Sequence, residues 1–301
     1  MKTMKQHSLR MPSAIDENAV RQLAVQFGQY QGVSPGKLNL FFTECRFISP
    51  MGVAFLVAQK DHMSSIGWTV TSYFRSDSPL YKFARIFGLS GDVPKHDLSE
   101  IRIGEYAVRV TRSWSYRESL ETVNEIRELM KTRLTTNQEV RAALDWALWE
   151  IVDNAGRHGY GAYDEGTKFT NPVYICAFSY RNGVEIGVAD RGVGFFTRLI
   201  QKYPDLEPKR VIQHALKDGV KSHESGAGMG LAKTYALVRS AGELSIFTSE
   251  RGLFLSGVST REWHCPGLIG TLVKVKFRTD VRIPVEQILG RDIDELLFEE
   301  V

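Results

Sequence analysis

Four short stretches of this 301-residue chain gather residue types that can do chemistry. In the first, Glu150, Asn154 and His158 recur at every fourth position, so on a helix they rise along nearly one face with Asp153 beside them. A carboxylate so placed can orient or deprotonate an attacking oxygen, of water or of a serine hydroxyl. An amide oxygen on a rigid helix is an adequate ligand for magnesium, which keeps several waters and needs only one or two protein oxygens. In the second stretch, Asp190-Arg191-Gly192-Val193-Gly194, the aspartate ends an apolar strand, where a carboxylate is costly unless it meets a donor. Its glycines remove side chains where another group must lie against the backbone. In the third, Gly226, Gly228 and Gly230 lead through Leu231 into a helix whose free amides and positive end can receive phosphate oxygens. The fourth is Gly270-Thr271, a threonine entering a strand.

Each stretch has an ordinary reading by itself: a solvated helix face, an Asp-Arg-Gly turn, a loop, a packed threonine. His158, just before Gly159, serves as a cap at a negative helix end as readily as a phosphate contact. The glycine run lacks the Gly-Lys-Ser/Thr ending of a P-loop and does not sit in the first strand–helix turn of a dinucleotide fold. Lys217, Lys221, His223 and Ser225, between the second and third stretches, fit a lid over a ligand or a merely solvated loop. The ordered set is far more specific than any one member.

As a set, the blocks resemble the nucleotide-binding boxes of the GHKL superfamily of ATP-binding domains, shared by histidine kinases, gyrase-type ATPases, heat-shock chaperones and anti-sigma serine kinases. The resemblance implies an α/β-sandwich (Bergerat) domain over residues 99–301, with ATP and magnesium (Mg2+) as ligands. Carried over position by position, it makes Asn154 the magnesium ligand and Asp190 the partner of the adenine amine, supported by Thr271. It makes Glu150 the catalytic carboxylate. His158, Gly192, Gly194, Gly226, Gly228, Gly230 and Leu231 complete the expected nucleotide contacts.

The elements that must position these residues can be read from periodicity. The spacing predicts a strand at Tyr106–Trp114, a helix at Ser119–Leu134 and a long helix from Asn137 to His158. Strands are expected at Val173–Tyr180 and Val184–Ala189, joined by the Asn182-Gly183 hairpin signal, then a helix at Leu231–Ser240 and strands at Leu244–Ser249 and Thr271–Phe277. This entry of strand, helix, helix is most similar to the anti-sigma serine kinase branch.

Before it, residues 1–98 read as a separate α/β unit. A strand near His7–Met11 is followed by a helix over Ala14–Tyr30 capped by Ser13, a strand at Leu38–Phe42, a turn at Phe47–Gly52, a helix at Val53–Met63, a strand at Trp68–Phe74 and a short helix over Ser78–Leu89. Phe47-Ile-Ser-Pro-Met-Gly-Val53 and Phe87-Gly-Leu89 make this unit resemble the STAS domain. Signalling members of that family carry a phosphorylatable serine where Met51 stands here. Methionine accepts no phosphate, and Ser49, two residues earlier, is either a modifiable hydroxyl or an ordinary turn residue before Pro50. The unit is therefore expected to dock a protein partner or a second copy of the chain. Gly91–Glu100 reads as a linker.

A net charge of +3 over 301 residues leaves no electrostatic footprint for nucleic acid. The three cysteines, Cys45, Cys176 and Cys265, are widely spaced and odd in number, which suggests reduced thiols and a cytoplasmic protein. No segment reads as a leader or a membrane span. Two functions stay open: a serine/threonine kinase or partner switch of the anti-sigma type, and an ATP-hydrolysing switch that phosphorylates no protein.

Overall fold

The computed structural model describes residues 5–78, 80, 81, 84, 87–89, 101–103, 106–133, 137–159, 168–207, 210–217, 230–248 and 251–290. The predicted linker, Gly226, Gly228, the lid residues Lys221, His223 and Ser225, and the acidic C-terminal tail lie outside them.

The chain starts with β1 (Gln6–Arg10), β2 (Ala14–Ile15) and α1 (Glu17–Gly28), then β3 (Lys37–Phe41), β4 (Phe47–Ile48), α2 (Pro50–Ser65) and β5 (Thr69–Tyr73). β1, β3 and β5 form a parallel sheet with β3 in the middle. Two helix starts differ from expectation. The helix after Met11 begins at Glu17, because Ala14 and Ile15 pair with β4, and Asp16 rather than Ser13 accepts the Ala19 N–H at 3.1 Å. The Ser49-Pro50 pair is a helix start, not part of a turn: Ser49 Oγ accepts the Gly52 N–H at 3.1 Å, and Pro50 fills the first position, where no amide is needed. Ser49 is thus a buried cap.

The second part contains β6 (Ile101–Ile103), β7 (Tyr106–Ser115), α3 (Tyr116–Arg133), α4 (Gln138–Asn154), β8 (Lys168–Tyr180), β9 (Gly183–Asp190), α5 (Phe195–Lys202) and α6 (Val211–Ala215). It continues with α7 (Gly230–Ala241), β10 (Gly242–Thr248), β11 (Arg251–Ser256), β12 (Thr260–His264), β13 (Thr271–Arg278) and α8 (Val285–Leu289). The strands build one antiparallel eight-stranded sheet in the order β12-β11-β10-β13-β9-β8-β7-β6. β11 and β12 are not evident from the sequence. Gly252 looks like a break, yet it sits inside β11 because the Trp263 indole lies where a Cβ would project.

Alternation along these strands divides the hydrophobic interior in two. Val173, Ile175, Ala177, Ile186, Val188, Val275 and Phe277 face a layer of helices α3, α4 and α7. Tyr174, Cys176, Phe178, Ala189, Phe247 and Leu272 face the other way, into one continuous core with α1, α2 and the parallel sheet. The N-terminal region therefore shares its core with the large sheet. α2 is apolar nearly all round, buried from Pro50 through Gln59 and again at Met63, as a helix packed on both sides must be. It touches β5 on one side and β8, β9 and β13 on the other.

The approach is closest at β9. A Cβ built on Gly187 would lie 2.6 Å from the Met51 nitrogen and 2.7 Å from its Cα, so only glycine lets the start of α2 rest on the strand. Glu185, two residues earlier on the same face, is buried beside the start of α2; burial raises its pKa, and Lys274, Lys276 and the Met51 backbone pull it the other way. Nearby, the Lys274 ammonium is held between Glu17 at 2.8 Å and Glu243 at 3.0 Å, and Ser245 donates its hydroxyl to Glu17 at 2.7 Å. Met51 is fully buried in this contact. Among the described residues, no helix is long and apolar enough to cross a membrane.

Candidate functional site

Asp190 is the last residue of β9 and belongs to the even-numbered face that meets the helix layer, with Ile186 and Val188. Its ladder partner is Thr271, the first residue of β13. Asp190 is 4% exposed. Its carboxylate accepts the Gly192 N–H at 2.8 Å, and Thr271 offers it both hydroxyl and backbone N–H. Gly270, at φ 74°, makes the tight entry to β13; a Cβ there would meet the Asp190 carbonyl and its Oδ1. Burial raises the Asp190 pKa to about 7, against the lowering effect of the Gly192 and Thr271 donors and of Arg198 on α5. A buried carboxylate at a strand end, fixed by three donors, is a preorganised acceptor for a ligand's donor group.

The helix-layer side of the site is α4 and the turn after it. Asn137 caps α4, accepting the Val140 N–H at 3.1 Å. The α-helix runs only to Asn154. Ala155–Gly159 form a wider π turn, so the α-helical four-residue register expected to carry Glu150, Asn154 and His158 ends before His158. That turn packs against β9, which ends in Asp190, and against α5, which starts after Gly194. Asn154 is half-buried. The His158 side chain lies outside the described residues.

Asp153 and Arg157 have a structural occupation. Asp153 is buried and accepts from Arg157 Nε at 2.6 Å and from the Tyr116 hydroxyl, tying the π turn to the start of α3. Burial and the Asp153 carboxylate push the Tyr116 phenol up to about 12.

Glu150 joins the first stretch to the third. Its carboxylate fills the space where a Gly230 side chain would be, so closely that a Cβ there would fall inside the carboxyl group. Burial, aided by Asp153, raises its pKa to about 7, while Arg157 and Lys233 pull the other way. Leu231, next in α7, packs both on the helix-layer core and on the small cluster of Leu199, Val211 and Ala215, linking α5 and α6 to α7. Gly192 is half-buried, and Gly194, at φ 81°, is the residue from which α5 begins. Lys217, at the end of α6, is exposed.

Two cations near the site, Lys233 and Arg198, belong to no motif in the sequence. Lys233, one turn into α7, donates to the Leu289 carbonyl at 2.9 Å, lies 5.5 Å from the Trp146 ring centre and acts electrostatically on Glu150. Arg198 acts on Asp190 from one turn into α5. Each stands three or four residues after a glycine already singled out, which is the only signal the sequence held for it. No group of three or more His, Cys, Asp or Glu capable of holding a metal occurs among the described residues. A magnesium ligand set of one amide and a ligand's phosphates would not form such a group. The chain matches no family model and no curated protein.

Proposed function

We propose that this chain is an ATP-binding regulatory protein of the GHKL type, with a Bergerat nucleotide domain and an N-terminal STAS-like region, acting as a protein serine/threonine kinase or anti-sigma-like partner switch in the cytoplasm. The observation that carries the reading is convergence. Stretches far apart in the chain meet where the π turn after Asn154 packs on β9 and Glu150 lies against Gly230.

The residues present suit the nucleotide. Asp190, fixed by Gly192 and Thr271, would accept from the adenine amine, and Gly192 and Gly194 would leave room for the base. Asn154 would offer its amide oxygen to magnesium, and the start of α7 at Gly230 would direct free amides at phosphate oxygens. ATP supplies a transferable phosphoryl group. The chain supplies orientation, exclusion of water and, at Glu150, a carboxylate with a pKa near neutrality that can take a proton from the attacking oxygen.

That oxygen belongs to a partner's serine in the kinase and to water in an ATPase. The packing of α2 on this sheet seats the N-terminal region against it in either reading. Calorimetric titration of the full chain with ATP and magnesium is expected to give saturable binding that is lost in Asp190→Asn. Binding unaffected by that change would remove the basis for the assignment. Labelled ATP incubated with the protein and candidate partners separates the readings: label on a partner serine marks the kinase, free phosphate alone the ATPase.

A further inference from the structure

The residue next to Asp190 points to the opposite face of the sheet. Strand alternation sends Asp190 toward the helix layer and Arg191 toward the N-terminal region. There Arg191 Nη2 donates to Ser65 Oγ at 2.8 Å and lies 3.5 Å from His62 Nδ1, both near the C-terminal end of α2. Burial, aided by the Arg191 charge, lowers the His62 pKa to about 4, so a neutral imidazole faces the guanidinium. Arg191 also hydrogen-bonds Tyr174, whose hydroxyl donates to Asp61 at 3.0 Å. Asp61 in turn pairs with Arg112 of β7 at 2.9 Å. α2 is thus fastened to the sheet at both ends: its start rests on Gly187 and Glu185, and its end grips Arg191.

Asp190, Arg191 and Gly192 form one tight turn, closed by the Gly192 N–H on the Asp190 carboxylate. Arg191, the middle residue of this turn, is the one that reaches Ser65 and His62 of α2.

We propose that Arg191 is a positioning residue through which His62 and Ser65 of the N-terminal region set the Asp190 turn, making that region a working part of the purine end of the site. This rests on the nucleotide reading above. A displacement of α2 by a partner would loosen the turn and weaken nucleotide binding. By reciprocity, nucleotide would tighten the seating of α2.

Hydrogen exchange on the nucleotide-free full chain tests the strut independently of any ligand. In Arg191→Met, exchange at the Gly192 amide, which donates to Asp190, should rise about 10-fold relative to the wild type, as expected for loss of a charged hydrogen bond. Amides in the middle of β8 should be unchanged. Ser65→Ala, which alters nothing in the turn itself, should reproduce part of the rise, and Arg191→Lys should restore part of the protection. Unchanged exchange at Gly192 in Arg191→Met, or an equal rise throughout the chain, would overturn the proposal. With the nucleotide analogue AMP-PNP and magnesium, Arg191→Met should bind about 10-fold more weakly. Equal affinity would overturn the proposal. A wild type that binds no nucleotide would sink the function proposed above, and the exchange result would still decide whether α2 holds the turn.

Discussion

Replacing Gly187 with alanine tests how tightly the N-terminal region is seated. The added Cβ would stand 2.6 Å from the Met51 nitrogen and 2.7 Å from both the Met51 Cα and the Pro50 carbonyl carbon. Ordinary contact between such atoms is about 3.5–4.0 Å, so the start of α2 must withdraw by on the order of 1 Å. The atoms in the way are backbone, at the capped end of a helix packed on both sides, and no rotamer change relieves them. Overpacking of this kind costs about 1–3 kcal/mol. The expected destabilisation is therefore about 1–3 kcal/mol, measured as a lower urea midpoint at unchanged slope. Gly32→Ala is a useful contrast. Nothing lies within 4 Å of its added carbon, and its φ of 76° should cost only about 1–2 kcal/mol. If Gly187→Ala unfolds within about 0.5 kcal/mol of the wild type, α2 does not press on β9 and the argument for a single fastened unit fails.

Lys274→Met, which leaves Glu17 and Glu243 facing each other without their shared cation, should cost about 3–5 kcal/mol in the same assay. A loss below about 1 kcal/mol would mean that water reaches these carboxylates. The Glu150 pKa is raised from 4.5 to about 7, so its contribution to stability is fully present below about pH 4.5 and is lost as pH rises through about 7. At about 1.4 kcal/mol per unit, Glu150→Gln should gain on the order of 3 kcal/mol relative to the wild type between pH 5 and pH 8, as read from paired urea melts. A difference independent of pH would show that the carboxylate is not held away from water. If Glu150 is the base, turnover should rise through the same interval, because only the ionised form accepts a proton.

The secondary structure around the site was largely legible because its helices and strands carry clear apolar periods. α4 has a good cap in Asn137, and β8 and β9 flank an Asn-Gly hairpin. The π turn was not legible, since Ala155–Gly159 continues a helical pattern and only the ties from Asp153 to Tyr116 and Arg157 accompany the wider turn. β11 and β12 were hidden by Gly252 and by a mostly exposed edge strand, whose polar pattern resembles a loop. The seating of α2 was the largest omission. It joins Met51 to Gly187 and Ser65 to Arg191, more than a hundred residues apart, and no local period encodes which faces meet. A glycine within the apolar run of β9 was the available clue, since glycine inside a strand often marks a close backbone approach.

α2 serves two sheets at once. The even-numbered residues of β8, with Leu272, lie in one buried core with α1, α2 and the parallel sheet, and Phe247 meets Trp263 of β12 as well. Severing the chain at the predicted linker is therefore expected to bare apolar surface on both pieces. The C-terminal piece would bare a greasy strip ending in Tyr174, Cys176 and Phe178, and the N-terminal piece would expose the far flank of its central helix.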